Sequence, residues 1–209
     1  MVLTIANLAA TSGPTGTIDR DVLQAMRKVP RHALVPEDVR SRAYENMPLP
    51  IGYDQTISQP YIVALMTDLL DTKAEHKVLE VGTGSGYQAA VLSHLVRQVY
   101  TIEIVEPLAE RSSRQLRELG YRNVTVRAGD GYLGWPEQAP FDRIMVTAGA
   151  SHVPQPLIDQ LKVGGRMVIP VGTAWNRLHL TLVEKTKSGK LRTQKVLPVA
   201  FVPLVRAKS

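Results

Sequence analysis

Val78-Leu-Glu-Val-Gly-Thr-Gly-Ser-Gly-Tyr87 decides how the rest of the chain is read. An apolar, β-branched run from Val78 to Val81 carries one acid, Glu80. It ends on three alternate glycines, Gly82, Gly84 and Gly86, with Thr83 and Ser85 between them. Ala89, Ala90, Leu92, Leu95 and Val96 follow in an apolar helical pattern. Strand, glycine turn and helix together present backbone N–H groups to a ligand at a helix start. Glycine suits the turn because the missing Cβ permits close approach and a positive φ. The pattern is G-x-G-x-G behind an acid, not the G-x-G-x-x-G of dinucleotide-binding proteins. A tight turn alone has no need of a third glycine, so the triplet points to a ligand without naming it.

Outward from this stretch the chain alternates strand and helix. The expected strands are Val78–Val81, Val99–Glu103, Val124–Arg127, Phe141–Thr147 and Arg166–Val171. Helices are expected over Gln88–Val96, Pro107–Leu119 (stopped by Gly120) and Pro156–Leu161. Such alternation, rich in Val and Ile, reads as a parallel sheet covered on both faces. Beyond Val171 the rhythm changes: Leu178–Val183 alternates, Ser188-Gly189 is a turn, and an extended run reaches Leu204. The six residues from Gly172 to Arg177 are too few for a crossover helix, so the last strands should add antiparallel at one edge.

Upstream, Thr17 can cap a short helix carrying Val22, Leu23 and Met26, and a second should start at Pro36 and run to about Asn46. Pro48 to Pro60 holds three prolines and a glycine in thirteen residues, which forbids a regular helix or central strand. Ile51, Tyr53 and Ile57 nonetheless make it too apolar for a plain solvent loop, and it suits a binding wall. Pro60 then opens a helix, which places Ser58 beside its start; from spacing alone, Ser58 or Gln59 reads first as that helix's cap.

The 209 residues are read as one domain: a loosely ordered lead-in over 1–16, helices and a binding loop over 17–76, a ligand-binding core over 77–171, and edge strands over 172–209. With 44% hydrophobic and 21% charged residues the chain is globular in composition. It has no cysteine, which excludes disulfides, thiolate metal sites and a cysteine nucleophile and fits a reducing, cytoplasmic setting. No metal site is expected. The net charge of +6 is scattered along the chain, so no stable nucleic-acid partner is expected. No apolar run approaches the ~18 residues of a membrane span, and residues 1–16 lack the basic start of a signal peptide. The oligomeric state is open, with a monomer the simplest expectation.

Two further features point at the ligand. Glu103 ends the second strand, roughly 20 residues after the glycine loop, where an acid can accept both hydroxyls of a ribose. Gly129-Asp130-Gly131 follows the third strand and suits an adenine-binding turn, although taken alone it reads equally as an ordinary turn.

Val78–Tyr87, Glu103 and Gly129-Asp130 together resemble the S-adenosylmethionine site of Rossmann-type methyltransferases. Leu49-Pro-Ile-Gly and Gln55-Thr-Ile-Ser-Gln-Pro60 narrow the resemblance, as do Val29-Pro-Arg31, Phe141-Asp-Arg-Ile144, Leu157-Ile-Asp-Gln-Leu-Lys-Val-Gly-Gly-Arg166 and Phe201-Val-Pro-Leu204. This set is similar to protein-L-isoaspartate O-methyltransferases of the bacterial type, from about Ile18 to Val205. The resemblance implies a three-layer α/β, class I methyltransferase fold and methyl transfer from S-adenosyl-L-methionine to the α-carboxylate of L-isoaspartyl residues in damaged proteins and peptides. S-adenosyl-L-homocysteine would be left, and the ester would pass through a succinimide towards normal aspartate. It further implies Ser58 as the active-site residue and Thr56, Ile57, Gln59, Val202, Pro203 and Leu204 as the substrate wall. Glu80, Gly82, Thr83, Gly84, Ser85, Gly86, Glu103, Gly129 and Asp130 would form the cofactor site. Val205 departs from relatives that carry a hydroxyl there, and His152 receives no role.

Three other classes are weighed. An RNA methyltransferase fits the positive charge, but the chain has no Asn/Asp-Pro-Pro-aromatic tetrad; labelled methanol from an isoaspartyl peptide against labelled RNA separates the two. A nicotinamide dehydrogenase is opposed by the glycine spacing and is tested by cofactor competition. A non-enzymatic adenosine-binding scaffold would have no use for the 55–60 loop.

Overall fold

The computed structural model describes residues 1–173 and 176–207. Seven strands form one sheet: β3 (Lys77–Val81), β4 (Gln98–Glu103), β5 (Val124–Ala128), β6 (Phe141–Val146), β7 (Leu161–Thr173), β8 (Asn176–Lys185) and β9 (Leu191–Pro198), in the order β5-β4-β3-β6-β7-β8-β9. β3 to β7 are parallel, and β8 and β9 add antiparallel at one edge. Residues 174 and 175 of the expected turn into β8 lie outside the described residues. From β3 the chain winds outward to β4 and β5, then returns past β3 to β6. The strand order therefore reverses between β3 and β6, and ligands of such sheets bind outside the carboxyl ends at that reversal. Val78, Leu79, Ile144, Met145 and Val146 are wholly buried, as the two covered faces require.

Helices α3 (Pro60–Leu70), α4 (Tyr87–Ser93), α5 (Glu106–Glu118) and α6 (Gln155–Gln160) complete the layers. β7 starts at Leu161, five residues before the expected Arg166, because its pairing with β6 slips between Leu161 and Arg166, where Gly164 adopts a φ of +78°. Among the described residues no helix is long and apolar enough to cross a membrane.

The N-terminal third departs most from expectation. Residues 1–16 are not a loose lead-in: α1 (Val2–Ser12) buries Ile5 and Ala9 completely in the main core. A helix of this length is marginal alone, and none of its caps or charges announces it, so packing on α3 makes it. Gly13 allows the close approach, since a Cβ there would press on the Ala9 backbone and the Tyr61 hydroxyl. α2 (Arg20–Lys28) is capped by Asp19, whose Oδ1 accepts from the Asp21 N–H at 2.6 Å; Thr17 is not the cap. The expected helix at Pro36 is a 3-10 turn, Glu37–Arg42, preceded by another, Arg31–Leu34. The proline-rich stretch forms an antiparallel hairpin, β1 (Leu49–Gly52) and β2 (Gln55–Ile57). Tyr53 and Asp54 turn it with φ of +54° and +56°, both in the left-handed region a tight hairpin loop requires.

Candidate active site

A cavity of about 130 Å³ opens at the carboxyl ends of β3, β4 and β6. Val81 to Ser85 form its floor, Ile102 to Val105 one side, and Gly131, Thr147 and Ala148 the other. Gln55 to Ser58 and Val202 to Val205 close over it. A second cavity, of about 450 Å³, lies behind the hairpin among Pro48, Tyr61, Ile62 and the chain from Leu197 to Val202. Thr56, Ser58, Thr147 and Val202 border both.

The glycine loop works differently from the expected N–H cradle. The N–H groups of Gly82 and Thr83 donate to the Ile102 carbonyl at 2.8 and 3.2 Å, and that of Gly86 to the Thr83 carbonyl at 2.8 Å. The Gly84 N–H donates to Glu103 Oε2 at 2.8 Å, while Glu103 Oε1 accepts from the Val105 N–H at 3.0 Å. These donors are engaged within the protein, so the loop offers open backbone rather than an anion nest. That suits a ligand with positive charge, which gains nothing from a helix start. The glycines are needed for shape: Gly82 has a φ of +98°, and a Cβ there would collide with Thr147 Oγ1. Gly86, with a φ of +82°, opens α4 against Leu116 and forms no part of the wall.

Two carboxylates one strand apart have opposite surroundings. Glu103 lines the cavity and keeps 6% of its surface exposed. Glu80, expected beside it, does not reach the cavity. It is wholly buried within the sheet layer, where Thr101 Oγ1 donates to its Oε2 and Thr83 Oγ1 meets Thr101 Oγ1 at 2.7 Å. Those two threonines stand between it and the ligand space. Burial pushes Glu80 up to about 8, with the nearby Glu103 adding to the rise and the Thr101 hydrogen bond opposing it. Its Oε1 has no hydrogen-bond partner among the described residues.

Gly129 and Asp130 also stand off the wall, and Gly131 takes their place. Asp130 Oδ1 accepts from the Tyr132 N–H at 2.9 Å, capping the turn Gly131–Leu133, and its Oδ2 accepts from the Ala207 N–H at 3.2 Å. The acid is thus turned towards the C-terminal segment. Thr56 and Ser58 border both cavities, Ile57 the first and Gln59 the second; Val202, Pro203 and Leu204 all line the first. Ser58 does not cap α3. The N-cap position is Gln59, with no side-chain cap of its own, and the Tyr61 N–H instead donates to Asn46 Oδ1 at 2.9 Å. Gln59 is itself tied down, its Nε2 donating to the Asn46 carbonyl at 3.0 Å. His152 sits off both walls beside Ser151, 2.9 Å from its Oγ.

Sequence reasoning missed Thr147 and Gln88 on the wall; Val205, noted only as a departure from relatives, lies there too. Thr147 could have been found by the rule that selected Glu103, because it ends an expected strand beside the reversal of strand order. Its Oγ1 donates to the Gly82 carbonyl at 2.7 Å and so fixes the loop from below. Gln88 carried no signal: its Nε2 donates to Thr67 Oγ1 at 3.0 Å, a contact between two helices.

A family model described as protein-L-isoaspartate(D-aspartate) O-methyltransferase matches residues 8–209. A protein-L-isoaspartate O-methyltransferase 2 of Polaromonas sp. (strain JS666) is 64% identical over 187 residues, covering 90% of this chain and 89% of the relative. A protein-L-isoaspartate O-methyltransferase 1 of Cupriavidus necator is 57% identical over 204 residues, covering 98% and 79%. Among solved structures, a protein-L-isoaspartate O-methyltransferase superposes with a TM-score of 0.85 at 30% identity, over 97% of this chain and 65% of that one. A Plasmodium falciparum structure in complex with S-adenosyl-L-homocysteine gives 0.82 at 24% identity, over 99% and 97%, a likeness of fold. The chain therefore belongs to the protein-L-isoaspartate O-methyltransferase family, S-adenosylmethionine-dependent enzymes of protein repair.

Proposed function

We propose that this chain methylates the free α-carboxylate of L-isoaspartyl residues, with S-adenosylmethionine held in the first cavity, the damaged peptide in the second, and Ser58 on the wall between them. The observation that carries this reading is the shared wall of Thr56, Ser58, Thr147 and Val202. The first cavity fits the cofactor in its donor set. Its glycines leave room for a close approach, and Glu103, already accepting two N–H bonds, keeps lone pairs for two ribose hydroxyls. Ile102, Ile104 and Leu204 offer apolar surface to a flat base. When bound, S-adenosylmethionine supplies a methyl group already activated by its sulfonium charge.

Little acid–base work is left to the chain, because a carboxylate of pKa about 4 is ionised at neutral pH. The Ser58 hydroxyl donates to that carboxylate and sets one oxygen for in-line attack. Ile57 and Leu204 exclude water, which strengthens every polar contact inside. Thr56, Gln59, Val202 and Pro203 meet the peptide. Gly129 and Asp130 act on the cofactor's base side by holding the turn before Gly131, and Glu80 supports the loop from behind. The following backbone nitrogen of the peptide then attacks the ester carbonyl and expels methanol, closing a succinimide whose hydrolysis returns some normal aspartate. In this reading the chain works as a cytoplasmic monomer on protein substrates, without nucleic acid.

The test uses two peptides that differ only in an isoaspartyl or aspartyl link. The isoaspartyl link lengthens the backbone by one carbon, and ~1 Å of misplacement can cost ~100-fold in rate. The isoaspartyl peptide should accept methyl groups and the other should not. Ser58→Ala should lower turnover and leave S-adenosylmethionine affinity unchanged. Equal methylation of both peptides would reject the substrate assignment, and normal turnover in Ser58→Ala would reject the role of Ser58.

A further inference from the structure

Val29-Pro30-Arg31 belongs to the family pattern, yet Arg31 borders neither cavity. It opens the turn Arg31–Leu34, and its side chain is 0% exposed. Its Nε donates to the Ala43 carbonyl at 2.7 Å and its Nη2 to the Ser58 carbonyl at 2.8 Å. The guanidinium carbon stands 4.6 Å from the centroid of the Tyr87 ring. Tyr87 is the first residue of α4, directly after Gly86, and lines the first cavity. Two carbonyls and an aromatic face thus surround the cation, and none of these three contacts is a carboxylate. Arg31 Nη1 and the Tyr87 hydroxyl are both buried and make no hydrogen bond of regular geometry among the described residues, although the two side chains act on each other as hydrogen-bonding neighbours.

A buried cation with no carboxylate in contact is a poor choice for packing alone, since an apolar side chain of similar size fills such a space at lower cost. What an apolar side chain lacks is the rigid fork, which holds two acceptors in a set relation while its face rests on a ring. Ser58 needs an outside hold. β2 ends at Ile57 and α3 begins at Pro60, so the ladder and the helix both stop short of it. Asn46 secures the far side, through Gln59 and Tyr61. Arg31 secures the near side and ties it to the start of α4, which follows directly on the glycine loop.

We propose that Arg31 is a positioning residue for methyl transfer: by holding the Ser58 and Ala43 carbonyls in one rigid fork while its face rests on the Tyr87 ring, it sets the Ser58 hydroxyl against the cofactor cavity. This rests on the role given to Ser58 above. Arg31→Lys keeps the charge and loses the fork, and Arg31→Met keeps the bulk and loses both. Each variant, with Ser58→Ala and the double variant Arg31→Lys/Ser58→Ala, is assayed on the isoaspartyl peptide beside calorimetry with S-adenosylmethionine and a denaturant midpoint.

Both Arg31 variants should bind the cofactor within about twofold of the parent. Their kcat should fall by roughly 10- to 100-fold, with a smaller change in KM. Adding Ser58→Ala to Arg31→Lys should lower kcat less than about threefold further, as expected of two residues acting as one unit. A normal kcat with a lowered midpoint would make Arg31 a structural residue only. Cofactor affinity falling as far as kcat would place its action on the glycine loop instead, and losses that multiply in full would separate it from Ser58. A fast Ser58→Ala rejects the Ser58 role and this proposal together; a slow Ser58→Ala beside fast Arg31 variants rejects Arg31 alone. Should Arg31→Lys fail to fold, Arg31→Met is read by the same criteria.

Discussion

The floor of the first cavity runs through consecutive residues, Val81 to Ser85, whereas the wall shared with the second cavity joins Ser58 and Thr147 to Val202, from three distant parts of the chain. The floor is built locally: glycines with φ of +98°, +52° and +82° turn a buried strand into a helix, and Ile102 and Glu103 on the neighbouring strand engage its N–H groups. The wall is built by assembly. Val199 to Leu204 leave the sheet after β9, and the N–H groups of Gly149 and Leu204 pair with the Val202 and Gly149 carbonyls, both at 2.8 Å. A local motif states its own purpose, whereas an assembled wall acquires one only where its parts meet. In the proposed reading the cofactor falls to the first and substrate choice to the second.

The contrast breaks most readily at the floor. Gly82→Ala puts a Cβ into Thr147 Oγ1 at a φ of +98°, so strain and overpacking add. The loss of stability should be about 3 kcal/mol in denaturant melts, with cofactor affinity lost as well. A variant that keeps both would show that the loop shape is not set by Gly82.

The two carboxylates sharpen the contrast through pH. Glu80 is raised from 4.5 to about 8, so the folded chain holds a proton that the unfolded chain has given up between those values. Its stabilising contribution is complete below about 4.5 and is lost as pH rises through about 8. Stability should fall by on the order of 1 kcal/mol per pH unit across that window, and Glu80→Gln should flatten the slope. The measurement is the denaturant midpoint from pH 5 to 9 for both proteins; identical slopes would place the titration elsewhere.

The smallest effect lies at the wall. Asn46, not Ser58, supplies the side-chain acceptor at the start of α3. Asn46→Ala should cost about 1 kcal/mol of stability, the usual worth of a helix cap, and slow turnover less than Ser58→Ala does. Ser58→Ala should leave the midpoint unchanged. The reverse pairing would return Ser58 to the role of a cap.

The sequence by itself determined the parallel sheet, the glycine turn, the place of Glu103 and the antiparallel edge, because each follows from periodicity, a steric demand or a loop length inside one short segment. The place of Gln55 to Ser58 on a cavity wall was also legible, although the hairpin was not, since Tyr53 and Asp54 adopt a positive φ that glycine would have announced. Only the tertiary structure decided what depends on partners. α1 forms because Ile5 and Ala9 find a core to enter. Glu80 leaves the site because its position on β3 lies within the sheet layer, behind Thr83 and Thr101. Ser58 is freed from capping because Asn46 arrives from another segment, and Arg31 meets Ser58 and Tyr87 only after three elements have packed. Steric and periodic constraints act within a few residues and are written in order along the chain. Burial and hydrogen-bond partnership act between residues far apart in sequence, and they take effect only once the fold has brought those residues together.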